Sequence, residues 1–167
     1  MSMTKSKRFI LWLMLAVLVI VLDQISKQVV LSHLTYGQGI QVTSFFDLVL
    51  LYNPGAAFSF LASHDGWQRW FFIVLAFVIC SWLVVLVRKH QAETLQPLAF
   101  SLVIGGALGN VIDRFQIGAV VDFLYFHIGT HGWPAFNLAD SAICLGVGLM
   151  ILSQLREARA AKKVSAS

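Results

Sequence analysis

Charge is scarce in this chain. Asp, Glu, Lys and Arg make up 12 % of its 167 residues, about half the share of a soluble domain. A soluble fold of this size leaves much of its surface in water, and so few charges cannot cover it. Cysteine is nearly absent as well. Cys80 and Cys144 both sit inside apolar runs, where a thiol serves as a small hydrophobe, so a disulfide scaffold is excluded. No CxxC, no HExxH and no His/Cys cluster at metal spacing occurs, so neither a metal nor a cofactor is expected. Apolar residues, by contrast, reach 58 % and the mean hydropathy is +0.78. A soluble enzyme, a disordered chain and a nucleic-acid binder are thereby excluded, and an integral membrane protein remains.

Four runs are long enough to cross a bilayer, which takes about 20 residues at 1.5 Å each. They cover about residues 9–28, 68–87, 97–114 and 136–155, within one domain spanning 1–167. The basic N-terminus followed by an apolar run also fits a secretory signal peptide. No small-residue cleavage pattern follows it and three more spans come later, so an uncleaved first helix is expected. The net charge of +4 reports topology. Lys5, Lys7, Arg8, Arg88, Lys89, Arg156, Arg159, Lys162 and Lys163 flank one set of span ends, leaving Lys27, Arg69 and Arg114 on the other side. By the positive-inside rule both termini are cytoplasmic. Trp67, Trp70 and Trp133 lie near the outer boundary, where amphipathic rings are favoured.

The segments 32–66 and 115–135 then face outward. In the first, Ile40 to Thr43 alternate, residues 45–52 are rich in β-formers, Asn53-Pro54-Gly55 is a turn signal, and residues 56–61 follow. This reads as a small sheet with at least one hairpin at the interface. The second contains residues 118–126, apolar enough to lie on the membrane or dip into it.

An ionisable side chain costs about 2.5–3.5 kcal/mol at the centre of a span and less near its ends, so each one is a functional candidate. The topology gathers them at one depth. Asp23 is near the outer end of span one; Asn110, Asp113 and Arg114 near that of span three; Asn137, Asp140 and Ser141 near that of span four. Asp122 and Asn53 lie just outside. Spacings of i, i+3 and i+4 put each trio on one helix face. Each also has a plainer reading: Asp113–Arg114 as a helix-end ion pair, Asp23 as a backbone partner, Asn137 as an N-cap with Asp140 near the helix dipole.

Ser59 and Ser141 have neither a GxSxG context nor a nearby Lys, and His33, His64, His90, His127 and His131 are scattered in or near loops. Carboxylates remain. Two that share one proton can act as base and acid on water and a carbonyl. On spacing alone, catalysis and an ion or proton pathway both stay open. Against conduction, residues 11–21 and 143–152 offer almost no polar group on the inner half. A non-enzymatic scaffold leaves the convergence of costly Asp and Asn unexplained.

Four segments together carry a resemblance: Asp23-Gln24 with Lys27; residues 52–59; residues 105–114 continuing through Gly118 to Val120-Val121-Asp122-Phe123; and residues 136–141. The chain resembles the lipoprotein signal peptidases, or signal peptidase II, aspartic peptidases of the bacterial membrane, over nearly its whole length. The resemblance implies an all-α membrane protein with four transmembrane helices, a small periplasmic β-sheet platform and a second periplasmic segment. It implies inner-membrane localisation with both termini cytoplasmic and the site near the periplasmic face. It implies diacylglyceryl prolipoproteins as substrates, cut before the lipidated cysteine, and a monomer with no nucleic-acid partner. Matched by motif, Asp122 and Asp140 are the catalytic pair, Asp23, Asn53, Asn110, Arg114 and Asn137 support them or bind substrate, and Asp113 is structural.

Overall fold

The computed structural model describes residues 4–55 and 66–165. Ser59, His64 and the expected return segment 56–61 lie outside the described residues. Four helices are long and apolar enough to cross a membrane: α1 (Lys5–His33), α2 (Trp67–His90), α3 (Leu95–Gln116) and α4 (Leu138–Ser165). Between them run β1 (Gly39–Gln41), β2 (Phe46–Asn53), β3 (Val120–Ile128) and β4 (His131–Gly132), forming one antiparallel sheet in the order β1-β2-β3-β4. The sheet caps the bundle where α1 and α3 end and α2 and α4 begin.

The helix at the centre is α3. In its most apolar stretch 61 % of residues are buried, against 17–22 % in the other three, whose outward faces carry Met14, Val17, Val74, Val78 and Val85. Those faces suit lipid. Lipid offers no hydrophobic drive to bring helices together, so close van der Waals approach must do it. The glycines of α3 allow that approach. A Cβ on Gly105 would stand 2.6 Å from Val19 Cβ on α1, and one on Gly106 would overlap the Ala139 carbonyl on α4. The small-residue run therefore serves packing.

Two apolar clusters bracket the middle of the molecule. Ala16, Cys80, Leu83, Val87, Phe100, Val103 and Ile104 join α1, α2 and α3. Val30, Leu34, Leu50, Val121 and Phe123 join the end of α1 to the sheet. The polar residues lie between them.

Segment 118–126, expected to lie on or dip into the membrane, supplies β3 in the middle of the sheet. Val120, Val121, Asp122 and Phe123 are all buried, so the first half of this strand lacks the alternation that marks an exposed one. Opposite it, Leu48 pairs with Leu124 but Leu51 with Asp122. One extra residue on β2 makes a bulge and flips the faces of the rest of the strand. Asn53, two residues beyond Leu51, thereby shares the face of Asp122.

Candidate active site

Asp122 is placed by β3 and Asp140 by the first turn of α4. A backbone bridge brings them together: Leu124 N–H donates to Phe136 O (2.8 Å) and Phe136 N–H to Leu124 O (3.1 Å), just before Asn137 begins α4. Asn137 caps the helix reciprocally. Its Oδ1 accepts from Asp140 N–H at 2.9 Å, and its own N–H donates to Asp140 Oδ2 at 3.2 Å, as in a capping box. The same Asn137 donates through Nδ2 to Asp122 Oδ1 at 2.8 Å. One side chain thus makes both the N-cap bond and the bond to Asp122.

Three asparagines donate to the two carboxylates, and each has its amide oxygen tied elsewhere. Asn53 Nδ2 donates to Asp122 Oδ2 (3.0 Å) while its Oδ1 accepts from Gly55 N–H (2.9 Å). Gly55 turns there with φ +102, and a Cβ on it would overlap the Phe72 ring. Asn137 is tied to Asp140 N–H. Asn110 Nδ2 donates to Asp140 Oδ1 (2.8 Å) while its Oδ1 accepts from Lys27 Nζ (3.1 Å). An amide whose oxygen is held this way cannot flip, so its nitrogen faces the carboxylate.

Behind the pair lies a buried ion cluster. Lys27 Nζ is 2.8 Å from Asp23 Oδ2 and 2.7 Å from Asp113 Oδ2. Asp113 also accepts from Gln24 Nε2 (2.8 Å) and Val121 N–H (3.0 Å), and Asp23 from Ala139 N–H (2.9 Å). Asp113 thus bonds Lys27, not Arg114 as a helix-end pair. The Arg114 guanidinium lies 4.9 Å over the Phe72 ring and donates to Asn110 O at 3.3 Å. Its buried Nε finds no partner among the described residues.

Of the residues singled out in the sequence, Asp122, Asp140, Asn53, Asn110 and Asn137 come together directly, Asp23 one step behind, and Arg114 alongside. Ser141 only donates to the Asn137 carbonyl (3.0 Å). Lys27 and Gln24, named in the sequence within a segment that carries the resemblance, were given no place at the site. The available signal was spacing: Asp23 and Lys27 are i and i+4, one face of α1.

Burial, and after it the charge of Asp140, pushes the Asp122 carboxyl up to about 7, against the donations of Asn53 and Asn137 and the charge of Lys27. A carboxyl raised this far holds its proton near neutrality. Asn137→Ser separates the two roles of that residue. Serine is also a good N-cap but cannot reach Asp122 with a donor. The variant should keep the cap of α4 and melt lower only for the bonds of the lost Nδ2 to Asn110 and the Val121 carbonyl, yet lose roughly 10- to 100-fold in turnover, the worth of one hydrogen bond to a charged group. Thermal melting beside a cleavage assay checks this, and unchanged turnover would refute the role of its Nδ2.

Comparisons with known proteins point to one family. A family model described as signal peptidase (SPase) II matches residues 15–156. The chain is 67 % identical over 145 residues to a lipoprotein signal peptidase of Azoarcus sp. (strain BH72), covering 87 % of this chain and 82 % of that one. It is 54 % identical over 158 residues to that of Aeromonas hydrophila, covering 93 % and 95 %. Two solved structures of a bacterial membrane enzyme, determined by the in meso method, superpose with TM-scores of 0.78 and 0.77. They are 33 % and 34 % identical, and the matches cover 88 % and 86 % of this chain and 88 % and 92 % of theirs. With a two-carboxylate site framed by four membrane-spanning helices and relatives of this kind over most of its length, the chain belongs to the signal peptidase II family.

Proposed function

We propose that this protein removes the signal peptide of diacylglyceryl-modified prolipoproteins, cutting before the lipidated cysteine, with Asp122 and Asp140 as the catalytic pair. The observation that carries the assignment is the single Asn137 side chain that bonds Asp122 while capping the turn bearing Asp140. It holds two carboxylates in one frame at the junction of bundle and sheet.

Chemistry follows from the proton they share. Asp122, buried to 3 % exposure and pushed up in pKa, keeps the proton and donates it to the scissile carbonyl oxygen. Asp140, partly exposed, takes a proton from the attacking water. Beside the pair a cavity of about 240 Å³ runs between α2, α3 and α4, walled by Phe72, Leu75, Ile79 and Ile143 and ending at Asn110 and Arg114. Its apolar walls suit signal-peptide side chains or acyl chains, and the Arg114 guanidinium at its end supplies N–H donors for peptide carbonyls, which must find partners in lipid. Asp23, Asn53, Asn110 and Asn137 hold the frame. Every member of this site comes from one chain, which supports action as a monomer.

Purified protein incubated with a diacylglyceryl prolipoprotein should produce a mobility shift on a gel, and the unlipidated precursor should remain uncut. No shift with the lipidated precursor would refute the function.

The proton assignment has a sign. Below pH of about 7 Asp122 retains its proton; above it both carboxylates ionise and the acid is lost. Turnover should therefore fall as pH rises through about 7. A kcat still rising at about pH 9 would reverse the assignment.

The basic residues at the inner span ends support cytoplasmic termini and a site near the periplasmic face. Reporters fused after His90 and at the C-terminus should behave as cytoplasmic, and one inserted near residue 64 as periplasmic. A periplasmic C-terminal reporter would overturn this orientation.

A further inference from the structure

Lys27 is 1 % exposed, among the most deeply buried side chains described. Its ammonium has three N–H donors and no acceptor, and it meets three acceptors: Asp23 Oδ2 at 2.8 Å, Asp113 Oδ2 at 2.7 Å and Asn110 Oδ1 at 3.1 Å. Each acceptor is also tied to the catalytic pair. Asp23 accepts the N–H of Ala139, the residue before Asp140. Asp113 accepts the N–H of Val121, the residue before Asp122. Asn110 donates to Asp140 itself. We infer that Lys27 is a positioning residue for the pair: one ammonium fixes the backbone ahead of both aspartates and the amide that orients Asp140. The inference rests on Asp122 and Asp140 being the catalytic pair.

Stability alone does not account for the cluster. A buried ion pair is often no better than apolar residues of the same volume, because desolvation offsets the attraction. Geometry does account for it. The three partners sit on α1 and α3, and the groups they hold sit on α4 and β3, so Lys27 is the point where four elements are registered to one another.

Charge gives a readout that misfolding does not. Facing Asp122 are Asp140 from α4, Arg114 from α3 and Lys27 from α1, with uncharged Asn53 from β2. Asp23 and Asp113 stand behind Lys27 and are matched by it in part. Removing the ammonium exposes Asp122 to both of these negative charges, which makes its ionisation harder. The alkaline limb of the pH–kcat profile then moves to higher pH.

The test uses the full-length protein in one detergent, with a diacylglyceryl prolipoprotein as substrate and rates normalised to folded protein. Lys27→Met should lower kcat roughly 10- to 100-fold with KM within about threefold, and shift the alkaline limb upward by about one unit. Lys27→Met/Asp23→Asn leaves the net charge of the cluster as it was. Its alkaline limb should return toward wild type while kcat stays at least about tenfold low, because Asn110 and Asp113 still lack their donor. A wild-type kcat in the double variant overturns the inference, as does a fall in Lys27→Met with an unmoved alkaline limb. If Lys27→Met does not accumulate, kcat of the double variant decides. Asp140→Asn runs in parallel: turnover retained there refutes the catalytic pair itself, whatever Lys27 does.

Discussion

Asp122→Asn and Asp140→Asn are each expected to reduce cleavage by at least about 10³-fold while the protein still inserts and binds substrate. Asparagine fills the space of aspartate but cannot exchange the proton. It also offers one acceptor oxygen where Asp122 receives Asn53 and Asn137, and where Asp140 receives Asn110 and the Asn137 N–H. The double variant should lose little more than either single one, since residues acting as a unit are not additive. Asp113→Asn keeps an acceptor for Val121 N–H and should lose about tenfold or less. Cleavage rates for the four variants, with membrane levels by immunoblot, make the comparison. Near-normal turnover in a well-expressed Asp122→Asn or Asp140→Asn would show that the pair is not the catalyst.

Gly106→Val should unfold or disable the protein by a different route. The added side chain meets the Ala139 carbonyl and stands 2.8 Å from Ile143 Cγ1. The carbonyl belongs to the first turn of α4 and has no rotamer to escape into. α3 and α4 must separate, and the Asn110–Asp140 bond between them with it. Overpacking of this kind costs about 1–3 kcal/mol, more against rigid backbone. Gly148→Ala, on α4 with nothing within 4 Å, is the control and should hold or raise stability. Thermal melting in detergent and cleavage rates for both variants test this; a wild-type melting point for Gly106→Val would mean that the helices have slack.

The spans were legible because hydropathy over about 20 residues is a collective signal, insensitive to any one residue. The convergence of Asn110 with Asp140 was legible because helical spacing fixes a face before any partner is known. Lys27 was not. In the sequence it is one of three basic residues on the outer side, and a charge count records its sign but not its burial. β3 was obscured for the opposite reason: with both faces covered, residues 120–123 carry apolar content without period. The reciprocal bonds of Asn137 show a further limit. Helix capping and carboxylate orientation ask for the same residue type, so sequence cannot divide them.

The bulge on β2 decides how this part of the chain can be altered. Between Leu48 and Leu51 the strand spends three steps where β3 spends two. Ironed flat at constant length, the ladder would set Leu51 opposite Val121 and Asn53 opposite Ala119, on the other face of the sheet. Asn53 would then point away from Asp122, and the tether between turn and carboxylate would be gone. Deleting the surplus residue closes the ladder too, but it keeps Leu51 opposite Asp122 and with it the aim of Asn53. A regular strand of the same length is therefore an inactivating change, and one that circular dichroism would not detect.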